Sequence, residues 1–123
     1  MPSVSAMAYD ERLGERMRDL LAERADLTER KMFGGLAFLL GGHLAIAASG
    51  QGGALVRVDP STVDALVARD ACEIAVMRGR PMAGWVRVAD DGLRTTRQLS
   101  RWVDRAIASV EALPPKPSTR PRR

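Results

Sequence analysis

Apolar positions along the chain switch between two periods. Leu13, Met17, Leu20 and Leu21 recur at helical spacing, with Arg and Glu on the other side, and predict a first helix over residues 10–24. Asp10 and Glu11 suit the positive N-terminal end of that helix and Arg24 the negative one. Arg30 to Leu40 then reads as a strand and His43 to Ala48 as a second, with Gly41-Gly42 between them as a tight turn. Residues 49–53 (Ser-Gly-Gln-Gly-Gly) form a flexible loop into a third strand, Ala54 to Val58. Asp59-Pro60-Ser61 opens a second helix, with Asp59 as N-cap and Val63, Leu66 and Val67 facing inward. Glu73–Met77 and Gly84–Val88 read as fourth and fifth strands joined by residues 78–83, and Asp90-Asp91-Gly92 as a turn. A last helix over Thr95–Ala112 turns Leu99, Trp102, Val103, Ala106, Ile107 and Val110 to one side, and Pro114-Pro115 stop it.

The expected order is α-β-β-β-α-β-β-α, without repeats. This predicts an α+β fold: a two-layer sandwich in which an antiparallel five-stranded sheet carries helices on one face. The first strand does not fit a single helical layer. Leu36, Phe38 and Leu40 alternate with Ala37 and Leu39, so both of its faces are apolar and need cover. A protein partner or a second copy of the chain is expected to supply the other side. Trp85 and Met82 are the candidates for that surface, with a core role the alternative for Trp85.

Gly34 and Gly35 interrupt the same apolar run, where glycine brings no side chain to pack. A bend or close packing explains them most simply, and a ligand contact is the alternative. Lys31-Met32-Phe33-Gly34-Gly35, together with Gly79-Arg80-Pro81-Met82 followed by Gly84-Trp85-Val86-Arg87-Val88, resembles the two signature blocks of the TfoX/Sxy N-terminal domain family. The likeness extends over about residues 7–112. It implies a fold related to the secretion chaperones, structural roles for these motif residues, and a regulatory or interaction module without known chemistry. The competence regulators that gave the family its name pair this domain with a C-terminal one. Here the chain stops soon after the third helix, so a single-domain member outside the competence role is expected.

Composition adds bounds. Length and a 46% hydrophobic content suit one domain, expected over residues 1–113. Cys72 is the single cysteine and His43 the single histidine, which excludes an internal disulfide, a cysteine-rich zinc site and a multi-histidine metal site. A buried thiol and an idle exposed histidine are the ordinary readings of the two. Gly50-Gln51-Gly52-Gly53 lacks the Gly-Lys-Ser/Thr ending of a phosphate loop, and turn chemistry accounts for Asp90 and Asp91. No catalytic residue, metal or cofactor is therefore expected, and an enzyme with an unrecognised site ranks third among the readings. The N-terminus shows no secretory pattern, and the apolar region 36–48 is too short and broken to span a bilayer. A cytoplasmic protein without membrane contact is expected.

The net charge of +4 is unevenly placed. Lys116, Arg120, Arg122 and Arg123 lie in residues 114–123, and without them the basic residues equal the 15 acidic ones. That proline-rich tail is expected to be extended and disordered. Arg94, Arg97, Arg101 and Arg105 recur at helical spacing, within a stripe roughly 80° wide at about 100° per residue. They are expected to face solvent opposite the apolar side of the last helix. With the tail they form a candidate phosphate-binding ridge, so nucleic-acid binding is the alternative function, against the plainer reading of a solvated helix face. Only five aromatics occur, which gives little support to base stacking.

Overall fold

The computed structural model describes residues 10–32, 34–69 and 72–113. It begins with helix α1, Glu11–Leu21. Four strands follow: β1 Leu27–Met32, β2 Gly35–Leu40, β3 His43–Ala48 and β4 Ala54–Arg57. A 3-10 turn, Pro60–Thr62, leads into α2, Val63–Arg69. Strands β5, Cys72–Met77, and β6, Arg80–Val88, precede a second 3-10 turn, Asp90–Leu93, and α3, Thr96–Glu111.

Local chemistry sets the helix starts. The Asp10 carboxylate accepts the backbone N–H groups of Arg12 (2.9 Å) and Leu13 (3.2 Å). Thr95 and Gln98 close a reciprocal capping box at the head of α3. Asp59 caps the 3-10 turn through the Ser61 N–H at 2.9 Å. Among the described residues no helix is long and apolar enough to cross a membrane.

All strand pairs are antiparallel, in the order β1-β2-β3-β4-β6-β5. The fold is α+β, but the sheet has six strands where five were expected. The run read as one strand over Arg30–Leu40 is a hairpin, with Met32 opposite Gly35 and Leu27 opposite Leu40. Gly34, at φ 75°, turns the chain between them. Periodicity could not reveal β1, because Thr28, Glu29, Arg30 and Lys31 are all exposed on an edge strand. The segment 78–83, read as a connection, shrinks to a turn at Arg78-Gly79, and β6 extends to nine residues.

Alternate strand residues and the helix stripes share one core. Leu36, Phe38 and Leu40 of β2, Ile46 of β3, Val56 of β4, and Val86 and Val88 of β6 meet Leu13, Met17 and Leu21 of α1 and Leu99, Trp102 and Val103 of α3. The opposite face carries a cross-strand row that runs Ala37, Ala47, Leu55, Arg87, Glu73. Along β5 the chain takes two steps from Ile74 to Val76 while β6 takes five from Val86 to Pro81. The extra residues of β6 bulge out around Gly84, at φ 79°, whose carbonyl accepts the Val58 N–H at 2.8 Å. As a result Met32 of β1 and Val76 of β5, from opposite edges of the sheet, line one groove.

Candidate functional site

That groove lies on the face away from the helices and has a volume of about 620 Å³, within the usual range for ligand and peptide sites. Ala37, Ala47 and Leu55 floor it, and Met32, Met82 and Val76 flank it. The floor is shallow because the row is built from alanines; Ala37 itself is only 1% exposed. Arg87 closes one end. Its Nη1 donates to Ser49 Oγ (3.3 Å), and its Nη2 to Gln51 Oε1 (3.1 Å) and the Gly52 carbonyl (3.5 Å), which ties the β3–β4 loop to the sheet.

The motif residues frame this groove. Met32 and Met82, one from each block, both line it. Gly35 sits under β3, where a Cβ would collide with the Ala48 carbonyl oxygen. Gly84 makes the bulge against Val58 and Pro60. Arg80 and Pro81 are exposed near the hairpin tip. Phe33 lies outside the described residues. Trp85 is 8% exposed, with the Arg57 guanidinium carbon 4.7 Å from its ring centroid. Arg57 Nε also donates to the Leu44 carbonyl at 2.6 Å. Desolvation pulls the Arg57 guanidinium below its ordinary range.

The four arginines read as one ridge occupy different settings. Arg94 precedes the Thr95 cap, so it is not part of α3; it pairs with Asp91 at 2.6 Å, and its carbonyl accepts from Arg16 at 3.2 Å. Arg97 and Arg101 are exposed on α3 and make no hydrogen bond or ion pair among the described residues. Arg105 does not reach outward: it is half-buried and lies over the Trp102 ring at 4.5 Å. The tail, residues 114–123, is outside the described residues.

The model of the TfoX N-terminal domain family matches residues 19–110, from the end of α1 almost to the end of α3. The chain belongs to the TfoX N-terminal domain family. Neither the curated proteins nor the solved structures provide a match.

Within this TfoX N-terminal domain the residues with intrinsic chemistry stand apart. Cys72 begins β5 opposite Val88, which continues through Ala54 to Ala48, the last residue of β3. His43 begins β3, five residues away or about 16 Å along the strand. No Cys–His pair forms. The loop Gly50–Gly53 enters a strand rather than a helix, and Asp91 serves Arg94. Sequence reasoning passed over three residues that shape the surface. Ile74 and Val76 fall on an edge strand, which only the topology reveals. Arg57, between Val56 and Val58, reads as an ordinary outward strand position, and its one signal was being the only charge in that run.

Proposed function

We propose that this TfoX N-terminal domain is a non-enzymatic interaction module whose partner is a second copy of the chain, joined along β5 beside the groove. One observation carries the reading. Among the described residues the only exposed large hydrophobics are Ile74 (40%) and Val76 (61%), and both are on the edge strand β5. β5 holds a single charge, Glu73, whereas the other edge, β1, presents Glu29, Arg30 and Lys31 to solvent. Charges blunt an edge against pairing, and an apolar edge invites it. An antiparallel register centred on Ala75 sets Ile74 of one copy opposite Val76 of the other, twice. Because the paired residues share parity, the helices of both copies stay on the same side of the joined sheet. A regulatory role then acts through assembly, with the groove wall completed by the neighbour.

Light scattering after size exclusion tests this. A dimer is expected, and Val76→Lys should make it monomeric with an unchanged melting temperature. A wild-type monomer at all concentrations would overturn the second copy as partner. A nucleic-acid role is the second reading, favoured by Arg97 and Arg101, two exposed arginines without protein partners among the described residues. Duplex DNA added at low salt would then shift the elution, and the shift would fade steeply as salt rises.

A further inference from the structure

The groove on the face away from the helices has an apolar floor and a basic rim. Arg78 lines it at the tip of the β5–β6 hairpin, and Arg87 closes the other end. Arg30 pairs with Ala37 of the floor, so it stands on the same face along the β1 edge. Glu73 is the one carboxylate among the described residues that line the groove. Arg30 and Arg78 are exposed and make no hydrogen bond or ion pair among the described residues. Arg87 donates to neutral oxygens of Ser49, Gln51 and Gly52. Arg78 also sits at φ 56°, the first residue of a two-residue hairpin turn, where asparagine or glycine is the ordinary choice. An arginine kept there at a conformational cost points to a task other than turning the chain.

We infer that this groove docks an acidic amphipathic helix of another protein, its apolar stripe on Ala47 and Leu55 between Met32 and Met82, its carboxylates on Arg30 and Arg78. A helix fits better than an extended peptide. The floor belongs to β2, β3 and β4, each already paired on both sides, so a strand laid on it would find no ladder for its own backbone. A helix satisfies its backbone internally and needs only a groove for its side chains. From Glu73 to Arg78 the wall runs about 16 Å along β5, three turns of helix. Charge excludes the chain's own basic residues 114–123 as the occupant. A second copy has no helix to offer, because the apolar sides of α1, α2 and α3 lie in their own core. The inference goes beyond the pairing proposed at β5 and does not depend on it.

The test is an amide-detected NMR titration of the full chain with a synthetic helical peptide. It carries leucines at i, i+3, i+4 and i+7 and glutamates on its flanks; a control peptide has lysines in place of the glutamates. Saturable shifts are expected from the acidic peptide in Met32, Ala47, Leu55 and residues 76–82, with much weaker binding of the control. Arg78→Asn suits the turn, so the melting temperature should hold or rise while affinity falls about two- to fivefold, the worth of an exposed ion pair. Ala47→Leu fills the floor and should weaken binding about tenfold or more. Arg78→Asn decides the matter if Ala47→Leu does not fold. Unchanged affinity in Arg78→Asn would overturn the proposal, as would equal binding of the lysine peptide or the absence of saturable shifts. Shifts in the same residues on raising the protein concentration alone would give the groove to a second copy, and shifts with octanoate but not the peptide would give it to a small acid; either overturns it.

Discussion

Gly35 has no room for a methyl group: a Cβ there would strike the Ala48 carbonyl oxygen and stand 3.1 Å from the Gly50 nitrogen. Both neighbours are backbone, so relief requires moving a strand. Gly35→Ala should therefore cost about 2–4 kcal/mol in a urea unfolding experiment. Gly79 is the control. Nothing lies within 4 Å of its added Cβ, and its φ of +78° alone sets a cost of about 1–2 kcal/mol for alanine. An unchanged midpoint for Gly35→Ala would remove close packing as the reason and restore a ligand contact. The doublet was legible in the sequence as an anomaly. The division of labour was not, because one residue turns the chain and the other admits its neighbour, and both demands call for the same letter. Trp85 was ambiguous for a similar reason. A strand tryptophan beside a bulge follows no simple alternation, and Trp85 is covered by Arg57, its partner on β4, outside the core cluster that the sheet shares with the helices.

Helices and the central hairpin were readable because their signals are local. The strand expected over His43–Ala48 is β3 residue for residue, and the helix expected over Thr95–Ala112 is α3 with its caps. Thr95→Ala should remove the bond from the Gln98 N–H to the Thr95 hydroxyl, leave the one from the backbone N–H of residue 95 to Gln98 Oε1, and cost about 1 kcal/mol by thermal unfolding. β1 was missed because its residues answer to solvent and to α1, not to the core. Glu29 of β1 accepts from Arg18 of α1 at 2.8 Å. That contact holds the Glu29 carboxyl below its ordinary 4.5, while Arg24 lowers Asp26 and hydrogen bonds from Ser61 lower Asp59 below 3.8. A carboxylate depressed in the folded state stabilises fully above its unfolded value, and that contribution is lost as pH falls through the folded one. The melting temperature should thus hold near neutrality and drop on acidification below about pH 4.5. Asp59→Asn should flatten part of that acid limb. The exposed pairs involved keep each contribution small.

Across the whole molecule, the class was legible and the neighbour order was not. Nothing in β4, β5 or β6 announces that β4 lies beside β6, because pairing partners distant in sequence share only a common apolar face. Phe38 and Leu99 show how tightly that face is bound to the helices: both are fully buried in the core shared by β2, α1 and α3. Phe38→Ala should cost about 3–5 kcal/mol, enough to threaten a domain of ordinary stability in chemical denaturation. Arg24 bonds both Asp26 and Glu111 (3.0 Å to the latter), so ion pairs at the surface tie the chain after α1 to the end of α3. Arg24→Ala should accordingly change the global midpoint little while raising amide exchange in the last turn of α3.

The curl of the sheet gives the two signature blocks a joint task. Met32 and Met82 face one groove from its two sides, yet neither sets the distance between them. Gly35 fixes how closely β2 lies on β3, and Gly84 fixes how far the β5–β6 hairpin leans back. The width of the groove is thus a property of two backbone positions that contribute no surface to it. A double-mutant cycle would find Met32 coupled to Gly84, two sites apart in the chain, more strongly than to exposed residues of its own strand.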